Sequence, residues 1–250
     1  MNFFLQLYTE ILWRPIFNAL IGLYTILPGQ DLGVAIIALT IAIRLLLLPL
    51  FHHTQKSQRE LSRIQPKIKE IQAAHKNNKE AQSKALMELY AAERVNPFSG
   101  CLGALVQLPL LIALFQVFQS GFDMGHTQYL YSFIPQPGAI KTVSFGLIDL
   151  SHGNLVLGTL AAITQYFQAR AALASSASSA PQNSFTKSLN WQMLYLFPIL
   201  ILLWSYNLPS ALTLYWTAAN VFAIVQERIL RLFAKSFAKL CRSSLKEHGT

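Results

Sequence analysis

Five long stretches of this chain are apolar, and their central portions hold, between them, one charged residue. They are residues 32–51, 99–120, 153–170, 190–208 and 210–227. Each meets the roughly 17–25 apolar residues that a bilayer-crossing helix needs. A soluble domain carries about 25% charged residues, whereas 12% of this chain is charged and 53% is hydrophobic. The pattern excludes an ordinary soluble domain and predicts an all-α polytopic membrane protein with five transmembrane helices. Pro49, Pro109 and Pro198 fall inside the spans, which bilayer helices tolerate when neighbours satisfy the freed carbonyls. The turn "NLPSA" joins the last two spans, so those two form an antiparallel hairpin.

Basic residues accumulate on the cytoplasmic side of a membrane, which sets the orientation. The 52–98 loop holds Lys56, Arg59, Arg63, Lys67, Lys69, Lys76, Lys79, Lys84 and Arg94. The 121–152 loop holds Lys141 alone, the 171–189 loop holds Lys187 with Arg170 at its edge, and the 228–250 tail holds six. Alternation places 52–98, 171–189 and the tail in the cytoplasm, with 121–152 and the N-terminus outside. The expected location is a bacterial inner membrane. The net charge of +9 then reads as a topology signal and a lipid- or RNA-facing surface, and DNA is not an expected partner.

Residues 1–31 form an N-terminal segment. Its start, "MNFFLQLYTEILWRP", shows no basic region followed by an apolar stretch and a cleavage site, so no cleavable signal or transit peptide is expected. Over 15–30, Asn18, Gly22 and Thr25 lie at i, i+4 and i+7, a thin polar face on an apolar helix. That face predicts a helix lying in the outer interface, with a sixth span as the alternative.

In the 52–98 insert, Leu61, Ile64, Ile68 and Ile71 form an apolar stripe of coiled-coil spacing. "HKNNKE" at 75–80 supplies a turn and 79–93 resumes helical composition, so 54–94 is expected to be a cytoplasmic helical hairpin. Arg59, Arg63 and Lys67 lie along its polar side, as a solvated face or as contacts for anionic lipid or a partner protein. Residues 174–188, "ASSASSAPQNSFTKS", read as a mobile low-complexity linker. In the tail, Arg228, Arg231, Lys235, Lys239 and Arg242 share one helical side. They fit membrane-surface anchoring, or contact with ribosomal RNA, whose phosphates Lys and Arg neutralise regardless of sequence.

The charge inside the spans is Arg44, within "LTIAIRLLLLPL" at 39–50. At helical rise it lies about 18 Å from Leu32 and about 10 Å from Phe51. A guanidinium at that depth costs on the order of 2.5–3.5 kcal/mol on insertion scales. No carboxylate lies deep enough to offset this, and Glu227 at the inner end of the last span is the nearest acid in reach. Neutral polar side chains are available instead: Gln107, Thr164, Gln165, Thr217 and Asn220 among them. The expected solution is a hydrophilic groove open to the cytoplasm with Arg44 on its wall, and snorkelling to the headgroups is the alternative. A cation so placed can attract an anionic solute, as in a small anion channel or transporter, or receive polar stretches of another polypeptide. The spans hold no nucleophile with its base, no paired aspartates and no metal ligands. Cys101 and Cys241 stand apart without a CxxC motif, so no catalytic residue, metal or cofactor is expected.

Four pieces in series resemble one family. "GVAIIALTIAIRLLLLPL", "QKSQRELSRIQPKIKEIQ", "LMELYAAERVNPFSGCLGALVQLPLLIALFQVF" and "LPSALTLYWTAANVFAIVQ" are similar, in order and spacing, to the YidC/Oxa/Alb insertases, over about residues 15–230. The resemblance implies a five-helix core around a hydrophilic groove, with one arginine on the first core helix at the position of Arg44. Gln107 matches that family's glutamine in the next span, and Tyr215, Trp216 and Asn220 match its motif in the last. It implies insertion of newly made membrane proteins, with nascent chains as partners and a protein translocation channel as a further one. The chain departs from the family at Gly103, where proline is common, at Ala211, where glycine is, and at Glu227, where a neutral residue is.

Overall fold

A computed structural model describes residues 3–96, 99–119, 128–176 and 184–247. The chain opens with α1 (Phe3–Tyr8) and a π-helical turn, Thr9–Trp13, that runs into α2 (Arg14–Ile26). Asp31 then caps α3 (Leu32–Leu46), accepting from the amides of Gly33 and Val34. The insert is built of α4 (Leu48–Arg63), α5 (Gln65–Ala74) and α6 (Lys79–Ala92), and α7 (Ser99–Gln119) follows it. A two-stranded hairpin, β1 (Val143–Ser144) and β2 (Ile148–Asp149), pairs Ser144 with Ile148 in antiparallel register. After it come α8 (Leu155–Ser176), α9 (Ser184–Trp191), a second π-helical turn at Gln192–Leu196, α10 (Phe197–Trp204) and α11 (Ser210–Glu247).

Helices therefore cover all five apolar stretches, with several differences from expectation. Among the described residues no single helix is both long and apolar enough to cross a bilayer, while Leu32–Leu46 and Leu48–Thr54, bent by 57°, meet both conditions as a pair. The 32–51 stretch is thus not one helix. Pro49 lacks an N–H and its ring crowds the carbonyl four residues back, which breaks a helix interior, and Leu47 sits at φ −86°, ψ 0°. Pro66 repeats the break at Ile64, φ −89°, ψ 0°, so the first arm of the insert is kinked and continues the bent helix. The expected linker 174–188 is helical at both ends, over 174–176 as the last residues of α8 and over Ser184–Ser188 in α9, and residues 177–183 lie outside the described residues. The helix of the 190–208 stretch ends at Trp204, before the turn that leads to Ser210. No boundary marks residue 228, because α11 runs on for 38 residues, about 57 Å at helical rise.

Of the polar face expected on 15–30, Gly22 and Thr25 are half-buried and Asn18 is turned inward. Asn18 is buried, its amide donating to the Tyr129 carbonyl at 2.9 Å and its oxygen accepting from the Tyr131 amide at 2.7 Å. Through Asn18 the face carries the loop that follows α7.

The main core joins α2, α3, α7, α8 and α11 at one end of the bundle. There α3, α8 and α11 begin and α2 and α7 finish, and Leu20, Tyr24, Leu32, Ile36, Leu114, Phe118 and Ala211 are fully enclosed. Polar contacts lock the same end. The Asp31 carboxylate accepts from the Ser144 hydroxyl and, at 2.6 Å, from the Phe145 amide. At the start of α11 the Ser210 amide donates to the His152 carbonyl at 2.9 Å, the Ala211 amide to Leu150 at 3.0 Å, and the Ser210 hydroxyl to Asp149 at 2.8 Å. Ser144 approaches Gly33 so closely that a Cβ there would collide with its side chain. Toward the other end Ile41, Leu45 and Leu46 of α3, Leu108 of α7, and Val221 and Val225 of α11 are exposed, while Thr54, Ala169, Asn220 and Glu227 stay buried.

Candidate functional site

Arg44 sits near the end of α3, just past the buried part of that helix, and is half-buried. Its guanidinium lies 5.1 Å from the centre of the Phe51 ring, across the bend. Among the described residues it makes no hydrogen bond and no ion pair. Glu227 is buried on α11 and does not pair with it.

Tyr215 is buried on α11, within electrostatic reach of Arg44. Its hydroxyl accepts a 2.7 Å hydrogen bond from the Gln107 side-chain amide of α7. Arg44, Gln107 and Tyr215 are therefore brought together from three helices. Asn220 belongs to a second cluster. It lies about 140° around α11 from Tyr215 at 100° per residue, and its amide faces the Thr164 hydroxyl of α8 at 3.5 Å. Gln165, the next residue on α8, is half-buried, and Trp216 is half-buried against the main core. The six expected groove residues divide between two flanks of α11. Phe51 was not among them, because an aromatic residue in an apolar stretch gives no contrast and its partner is met across a bend.

In the insert, Ile64, Ile68 and Val95 form a small separate core with Leu61, Leu86, Leu89 and Tyr90, as the apolar stripe predicts. Arg63 and Lys67 both reach Glu93, the former at 3.0 Å. Lys67 above all, and then Arg63, holds the Glu93 carboxyl below its ordinary pKa. Both cations stay largely exposed, at 70% and 59%, while they pair with Glu93. The side chains of Arg59, Arg231, Lys235 and Lys239 lie outside the described residues. At the locked end, burial resists ionisation of Asp31, yet its hydrogen bonds from Ser144, Phe145, Val34 and Gly33 prevail and lower its pKa. The hydroxyl and amide of Ser151 hold Asp149 well below the usual carboxylate range.

The family model described as "60Kd inner membrane protein" matches residues 23–236. A membrane protein insertase YidC of Fusobacterium nucleatum is 33% identical over 199 residues, covering 79% of this chain and 84% of that protein. Membrane protein insertase YidC 2 of Bacillus anthracis is 30% identical over 230 residues, covering 88% and 81%. Among solved structures, an active YidC insertase with its first transmembrane domain resolved superposes with a TM-score of 0.53 at 24% identity. That match covers 92% of this chain and 47% of the solved one, and it concerns the fold. A pattern that runs through nearly all of the bundle, and relatives aligned over most of their own length, place the chain in the YidC family of membrane protein insertases.

Proposed function

We propose that the chain inserts newly synthesised membrane proteins into a bacterial inner membrane. It crosses the bilayer five times, with the N-terminus outside and the C-terminus in the cytoplasm, and the locked end of the bundle faces outward. α7 and α8, with 21 and 22 residues, are about 31 and 33 Å long, close to the roughly 30 Å of a hydrocarbon core. The client's hydrophilic segment rests beside Arg44 while its apolar segment passes into lipid.

One observation carries this reading: Arg44 lies at the end of α3, within electrostatic reach of the Tyr215 that holds Gln107, and among the described residues no carboxylate is bonded to it. A guanidinium without an acceptor is a host for acceptors brought by another chain, since charge-assisted hydrogen bonds are the strong ones. The basic continuation of α11 lies on the cytoplasmic side in this arrangement, where it meets polyanions.

Photo-crosslinkers placed at Arg44, Gln107 and Asn220 during translation are expected to capture nascent single-span proteins. The reading is overturned if those positions label no nascent chain while the purified protein conducts anions in liposomes.

A further inference from the structure

The bend at Leu47 separates two residues whose contact the insertase reading leaves unused. Phe51, in the first turn of α4, holds its ring 5.1 Å from the Arg44 guanidinium. That is inside the about 6 Å at which an aromatic face attracts a cation. Both side chains are half-buried. An aromatic face is an unusual contact for a guanidinium, because it screens the charge yet accepts none of the five N–H donors. The donors therefore stay available while the group is held in place.

We propose that Phe51 is a positioning residue for Arg44. Its ring keeps the guanidinium on the groove wall while no client is present, and yields it to the carboxylates or carbonyls of the client's hydrophilic segment. The exchange has a direction, since a charge-assisted hydrogen bond is stronger than a contact with an aromatic face. A purely apolar segment brings no acceptor and leaves the pair closed. Phe51 thereby makes occupancy depend on the polar content of the incoming segment. The inference rests on the insertase reading of Arg44.

The test uses the full-length protein in proteoliposomes, with phenylglyoxal adducts at Arg44 quantified by peptide mass spectrometry. Phe51→Leu is expected to raise the rate of modification at Arg44 about two- to fivefold. Phe51→Tyr, which keeps the ring, is expected to return it to the wild-type rate. Arg14, tied to Glu10 and to the Tyr129 carbonyl, serves as the internal reference. Equal Arg44 rates in wild type and Phe51→Leu overturn the proposal, as does an equal rise in the leucine and tyrosine variants. Phe51→Glu supplies an internal carboxylate and is expected to lower insertion of a single-span client to the level of Arg44→Gln. Normal insertion by Arg44→Gln sinks the role given to Arg44. Unchanged labelling alongside Arg44-dependent insertion sinks only that of Phe51.

Discussion

The hydroxyl of Tyr215 is the acceptor for Gln107 inside the bundle, so the pair lends itself to a subtraction experiment. Tyr215→Phe keeps the ring and removes the acceptor of the half-buried Gln107 amide, at about 0.5–1.5 kcal/mol for a typical hydrogen bond. Adding Gln107→Leu removes the stranded donor and is expected to recover most of that loss. Thermal unfolding in detergent measures this as a double-mutant cycle, and a strictly additive double variant would count against the hydrogen bond. Gly33 allows a second experiment. A Cβ there meets Ser144 and the Phe145 ring, so Gly33→Ala should lift the β1–β2 hairpin off α3 and raise hydrogen exchange at 143–149. At this scale legibility followed contrast. Arg44 and Gln107 stand out of apolar runs, whereas the pairing of Glu93 with Arg63 and Lys67 joins residues some thirty positions apart, with no local signal.

Elements were legible where apolar runs and turns announce them, and less so where one helix continues or breaks. Proline is tolerated inside α7 at Pro109, whereas at Pro49 the chain bends by 57°. Pro49→Ala restores the missing donor and is expected to straighten the pair. Spin labels at positions 38 and 57 should then move apart in pulsed distance measurements, and an unchanged distance would assign the bend to tertiary packing instead. The tail gave no sign that it shares a helix with the last apolar run, since composition changes at Arg228 while helix-forming character does not. Truncation at Arg228 is expected to weaken co-sedimentation with ribosomes and leave part of the insertion activity. Undiminished co-sedimentation would limit the basic end to lipid anchoring.

The molecule as a whole is held unevenly, and its response to acid should show it. Asp31 and Asp149, both at the locked end, have lowered folded pKa values, against about 3.9 when unfolded. Groups of this kind contribute stability that is fully present above the unfolded value and is lost as pH falls through the folded one. Below about pH 4, protection of residues 143–150, corrected for intrinsic exchange, is therefore expected to fall. Rising protection on acidification would contradict the role given to the two carboxylates. The fold class was readable from five apolar stretches, but this asymmetry was not. It depends on Asn18, Asp31 and Ser210 bonding to loops distant in sequence, which no local pattern announces.

That asymmetry gives the bundle the mechanics of a clothes-peg. Helices pinned by hydrogen bonds at one end have their freedom to spread at the other. For arms of about 30 Å, an opening of roughly 10° separates the tips by about 5 Å, half the width of a helix with its side chains. The jaw can thus fit cargo of differing bulk while its spring, the hydrogen-bonded end around Asp31 and Ser210, stays still.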